Sequence, residues 1–171
     1  IHAYGVDAVR YYALREVPFG SDGNFSEEAL ISRTNTDLAN TLGNLVNRTI
    51  SMAHKYFDGI VTNPKVEEEI DKELKNKVIA LKDVVDEKMN ELKVNEAIEE
   101  IMEVLRSCNK YIDETTPWTL AKDDSKKERL ATVLYNLLES IRICAILLSP
   151  FIPDTSNKIL EQLNTKEMSY E

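Results

Sequence analysis

Apolar side chains recur every three or four residues along most of this chain, and nothing alternates with a period of two over a useful length. That spacing predicts amphipathic helices and excludes a sheet. Leu38, Leu42, Leu45, Thr49, Met52 and Tyr56 form one stripe. Ile70, Leu74, Val78, Leu81, Val85 and Leu92 form a second, and Val94, Ile98, Ile101, Leu105, Cys108 and Ile112 a third. Residues 127 to 148 form the most apolar segment, and its second half, Ile141 to Leu148, is apolar nearly all round, which predicts the deepest burial. A striped helix must bury its stripe against others. Four long ones with short connections predict an all-α fold, an antiparallel helical bundle with short extra helices at its two ends.

The breaks between stripes are few, because the chain holds five glycines and five prolines. Residues 6 to 15 read as a short helix with Val9, Tyr12 and Ala13 on its inner side, followed by a loop from Val17 to Gly23. Ser26 is the expected cap of the first long helix, with Glu27 and Glu28 where the positive helix end favours them. Gly59 is its expected left-handed cap. Pro117 cannot continue the helix before it, but suits the first turn of a new one. Ser149-Pro150-Phe151-Ile152-Pro153 stops the fourth helix, and Asp154 or Thr155 is expected to cap a last short helix through Leu163.

Composition removes several function classes. A net charge of −9 argues against a broad electrostatic grip on DNA or RNA, so any contact with nucleic acid must be small and local. No uninterrupted apolar run approaches the roughly 18 residues of a membrane span, and no secretory leader is evident. The absence of an initiator Met suggests an excised fragment. Cys108 and Cys144 lie too far apart for a metal knuckle or redox pair and are expected as buried thiols of a cytoplasmic protein. A di-iron bundle would need two Glu-x-x-His pairs, yet the only histidines are His2 and His54, and Ser51 stands three residues before His54. Two scattered histidines assemble no nucleophilic triad, and no phosphate loop is present. The chain is expected to hold no catalytic residues and no metal.

A few residues remain. Trp118, the single tryptophan, sits in the break opened by Pro117. An aromatic there either plugs the end of a core or offers a flat face to an unstacked base. Asn44 and Arg48 lie four residues apart, hence on one helix face, roughly 80 to 120° from the apolar stripe. An amide and a guanidinium so spaced can read a base edge or hold phosphate. They can equally form a solvated flank. Asp37, one or two turns earlier on the same side, is a candidate to orient Arg48.

Several stretches carry a family resemblance. Tyr4-Gly5-Val6-Asp7-Ala8-Val9-Arg10-Tyr11-Tyr12 resembles the helix after the mobile catalytic loop of class I aminoacyl-tRNA synthetases, and Leu14 to Gly23 narrows this to the methionyl-tRNA synthetases. Asp37-Leu38-Ala39-Asn40 with Leu42-Gly43-Asn44-Leu45-Val46-Asn47-Arg48 is similar to that family's anticodon helix. Pro117-Trp118 with Ala121-Lys122, and Leu148 to Pro153, are similar to its later motifs. The resemblance implies that Asn44, Arg48 and Trp118 bind the anticodon loop of methionine tRNA, with Pro117 and Asp37 in support. It implies a junction over residues 1–25, an anticodon-binding bundle over 26–163 and a tail or linker over 164–171. The parent would be an ATP-dependent methionine–tRNA ligase whose own catalytic domain holds ATP and zinc. The family's His-Ile-Gly-His and Lys-Met-Ser-Lys-Ser signatures are absent here, so this fragment is expected to be inactive. Two alternatives stand beside this reading: the bundle of another class I synthetase, and a structural bundle that docks another domain with Trp118 as its plug.

Overall fold

The computed structural model describes residues 4–18 and 20–165, all helix or loop, which leaves His2, Phe19 and residues 166–171 of the expected tail outside the described residues. In chain order the helices are α1 (Val6–Glu16), α2 (Glu27–Arg33), a π-helical stretch (Thr34–Gly43), α3 (Asn44–Phe57), α4 (Glu69–Asn90), α5 (Val94–Thr115), α6 (Pro117–Leu120), a 3-10 turn (Asp124–Lys126), α7 (Lys127–Leu148) and α8 (Pro153–Gln162). α2, the π stretch and α3 run on as one long helix. That helix and α4, α5 and α7 are the four long members of the bundle. α5 and α7 touch each other, and each also packs against α4 and the first long helix.

Local signals explain the boundaries. The Ser26 hydroxyl accepts the Ala29 amide, as a helix cap should, and Glu27 and Glu28 occupy the first turn. α4 begins with a reciprocal box between Glu68 and Asp71. The first long helix closes on left-handed Asp58 rather than on Gly59; both carry positive φ, and the Gly59 amide reaches back to the Ala53 carbonyl. Neither Asp154 nor Thr155 caps α8. Pro153 takes its first position, and the Thr155 amide is capped by Asp7 Oδ2 at 2.6 Å, an acceptor from 148 residues away. Only tertiary folding supplies that cap.

Burial follows the stripes with two exceptions. Ala13 is exposed while Ala8, Tyr11 and Tyr12 face inward, so the inner face of α1 lies one position from the expected one. Leu92 is exposed because it lies beyond α4 in a turn with φ of +60°. Within α7, Ile141, Cys144 and Leu148 are fully enclosed. By average hydropathy the segment Asp124–Leu148 is long and apolar enough to cross a membrane, although it holds no uninterrupted apolar run of that length. Most of its apolar stretch is buried against the other helices, so it is a core helix of the bundle. Burial pushes the Cys108 thiol up to about 12 and Cys144 well above its ordinary value. Both stay protonated and unreactive.

Candidate nucleic-acid interface

The break after α5 shows why Trp118 faces outward. Thr116 adopts left-handed angles, φ 43° and ψ 64°, and its carbonyl accepts the Thr119 amide at 2.8 Å. The chain therefore turns sharply into α6 with Pro117 at its first position. Pro117 is buried, and Leu120 and Ala121 pack against the core. Those three residues close the bundle end and leave Trp118 42% exposed. An indole this open is not the core plug of the structural alternative.

Asn44 is exposed at the start of α3, and Arg48 is partly exposed one turn later. Arg48 Nη2 donates to Asp113 Oδ1 at 3.1 Å, and Asp113 lies on the last turn of α5, five residues before Trp118. A second bond stitches the same seam, from Asn109 Nδ2 to the Thr41 carbonyl at 3.1 Å. The two bonds run in the same direction along both helices, so Asn44 lies between them. The seam places Arg48 beside the last turn of α5, five residues before Trp118 in the chain. Asp113 gave no signal in the sequence, because a cross-helix partner is invisible to spacing on one helix.

Asp37 does not orient Arg48. It is buried, accepts the Tyr11 hydroxyl at 2.7 Å and Arg33 at 3.4 Å, and lies 3.9 Å from Arg15. The burial of Tyr11 raises its hydroxyl far above the ordinary pKa, and the hydrogen bond to the Asp37 carboxylate adds to that. The expectation failed for a geometric reason. Eleven residues of α-helix, at about 100° each, would put Asp37 and Arg48 nearly on one face. The intervening π stretch takes up one extra residue and turns them apart.

The rest of this bundle end is held by a buried polar network. Asp71 is enclosed and accepts Arg129 Nη1 at 2.6 Å, Arg129 Nη2 at 2.9 Å and the Tyr111 hydroxyl at 2.6 Å. Asn136 in turn donates to the Tyr111 oxygen at 3.3 Å. Burial by itself would raise the Asp71 carboxyl, but hydrogen bonds from Arg129, Tyr111 and the Glu68 amide outweigh it and hold the group below the usual carboxylate range. Arg129 also donates to the Val66 carbonyl, which fixes the loop entering α4. Beside α6 lies an open groove of about 200 Å³, with Lys55, Tyr56, Leu120, Asp123 and Lys127 in its walls. Among the described residues, no cluster of three or more His, Cys, Asp or Glu side chains is arranged to hold a metal ion.

Known proteins resemble this chain along nearly its whole length. Residues 60–171 match the family model of the anticodon binding domain of methionyl tRNA ligase, and residues 1–50 match that of class I tRNA synthetases (M). The chain is 54% identical to methionine–tRNA ligase of Clostridium perfringens over 171 residues, all of this chain and 26% of that protein. It is 56% identical to the ligase of Caldanaerobacter subterraneus over 167 residues, 98% of this chain and 26% of that protein. It thus spans about a quarter of the length of these curated relatives. Methionyl-tRNA synthetase of Mycobacterium tuberculosis, solved bound by methionyl-adenylate, superposes with a TM-score of 0.93 at 41% identity, covering 97% of this chain and 33% of that one. Its apo form gives 0.90 at 42% identity, covering 94% and 33%.

Proposed function

The chain belongs to the family of anticodon-binding domains of methionyl-tRNA synthetase, and from that premise we propose that Asn44, Arg48 and Trp118 read the anticodon loop of methionine tRNA. Trp118 stacks on an unstacked base, and Asn44 hydrogen-bonds a base edge. Arg48 exchanges or shares its Asp113 partner for phosphate or a base edge. The observation that carries the reading is the 3.1 Å bond from Arg48 to the last turn of α5, five residues ahead of a half-exposed tryptophan. Stacking and edge recognition need few positive charges, which reconciles the reading with a net charge of −9. Pro117 supports the site by turning the chain, whereas Asp37 serves another face.

The parent protein then couples methionine, ATP and tRNA in the cytoplasm, where buried unpaired thiols persist. Its catalytic domain, reached through the junction over residues 1–25, would hold ATP and zinc. The 171-residue chain alone makes neither methionyl-adenylate nor charged tRNA. The reading is tested by titrating the chain with a methionine anticodon stem-loop. Saturable binding that weakens when the anticodon is altered supports it; equal affinity for an unrelated loop contradicts it.

A further inference from the structure

The first long helix carries two apolar stripes one residue out of step. Its lower half buries Leu42, Leu45 and Thr49. Continued upward at α-helical spacing, that stripe passes through Leu38 and Ile31. The upper half instead buries their neighbours, Asp37 and Leu30. Ile31 is left 40% exposed, and Leu38 is only partly covered. The mismatch is one residue, and the π stretch, which holds Asp37, Leu38 and Leu42 and has five-residue hydrogen-bonded turns, absorbs it. A plain α-helix of the same length would turn the upper half by about 100° and bury Ile31 and Leu38. Leu38 already borders an open groove of about 350 Å³, where Leu42, Val46, Ile50 and Ile159 stand beside Asn47 and Lys158, so an inward turn of Leu38 has apolar neighbours to meet.

What opposes the apolar alternative is the Asp37 carboxylate. It takes the Tyr11 hydroxyl and Arg33 and faces Arg15, and so ties the upper half to α1. Burying a carboxylate is tolerable only with such partners. We infer that Thr34–Gly43 is a slip joint between two rotational settings of α2, and that Asp37 selects the setting observed. In the other setting Leu30 and Asp37 turn outward, Ile31 and Leu38 turn inward, and the hydrogen bonds return to the four-residue ladder. α3, with Asn44 and Arg48, keeps its place, because Leu42, Leu45 and Thr49 stay buried in both. α2 can therefore turn while α3 keeps its place.

Thiol labelling tests this without RNA, so its outcome is independent of the anticodon reading. Leu30→Cys and Ile31→Cys are made singly in the 171-residue chain, where Cys108 and Cys144 are enclosed and silent. In the parent background Ile31→Cys labels and Leu30→Cys is protected. Adding Asp37→Lys, which sets a third cation beside Arg15 and Arg33, is expected to exchange the pattern, each site changing by about tenfold or more while unfolding stays cooperative. Deleting the exposed Asn40 removes the extra residue, joins the two observed stripes by plain α-helix, and is expected to restore the original pattern even with Asp37→Lys. Should Asp37→Lys prevent folding, Asp37→Asn is read by the same criterion. Labelling of both sites would mean that α2 has merely come loose. That result, an unchanged pattern, or a failure of the deletion to restore it would each overturn the inference.

Discussion

Two arginine–carboxylate pairs near the same end of the bundle have the same chemistry and opposite uses. Arg129 and Asp71 meet in a doubly bonded fork with side chains 8% and 0% exposed, and Tyr111 and Asn136 complete the network. Arg48 and Asp113 share one bond of 3.1 Å with side chains 39% and 67% exposed. The enclosed pair has no water to fall back on, so each partner depends on the other. The open pair loses little when it parts, since exposed ion pairs contribute about 0–1 kcal/mol. One fixes the loop into α4 and the start of that helix. The other keeps a guanidinium in place yet free to accept a new partner.

The contrast breaks first at the enclosed pair. Asp71→Ala leaves the Arg129 charge buried and unpaired and should cost about 3–5 kcal/mol, seen as a large fall in melting temperature. The pH dependence carries a definite sign. The folded-state pKa of Asp71 is depressed, so its contribution is complete above the unfolded value of about 3.9 and disappears as pH falls through the folded one. The stability gap between the parent chain and Asp71→Asn should therefore close below about pH 4, as acid unfolding curves would register.

Trp118 sharpens the comparison from the RNA side. Trp118→Ala should weaken stem-loop binding by about 1–3 kcal/mol. It should cost well under the 3–5 kcal/mol of a deleted core aromatic, because Pro117, Leu120 and Ala121 close the core without it. Calorimetry and binding on one preparation give both numbers. The open pair should give the smallest stability effect: Asp113→Ala should alter unfolding free energy by about 0.5 kcal/mol or less. A loss as large as that of Asp71→Ala would erase the distinction between the pairs. Salt provides a gentler check. Each phosphate contact to a single strand adds a slope of about −0.7 to log K against log salt, so a few-residue site predicts roughly −1 to −2. A far steeper slope would point to a basic groove that lies outside this face.

Which parts were legible in the sequence follows from how far away their causes lie. Ser26 as a cap, the turn at Pro117 and the stripes of α4, α5 and α7 depend on neighbours within a few residues. They were readable. Asp71 was not, because its partners Tyr111 and Arg129 lie 40 and 58 residues away. The cap of α8 comes from Asp7, across the whole chain. Asp37 was misassigned because one extra residue in a π turn changes the face of everything beyond it, and the sequence accommodates either setting. Asn44, Arg48 and Trp118 could be singled out as residues of the right chemistry. That Arg48 meets Asp113 on the last turn of α5 required the fold.

The central claim is that an exposed amide on α3 distinguishes one base from another. Asn44→Ala is the direct test, with stem-loop affinity measured for the methionine anticodon and for a variant altered at one anticodon base. The account predicts that the parent chain prefers the methionine loop, and that Asn44→Ala erodes that preference by weakening the correct loop most, since an edge hydrogen bond is lost only there. Melting temperature should barely change, because the side chain is exposed. An unchanged preference for the methionine loop in a folded Asn44→Ala chain would contradict the account.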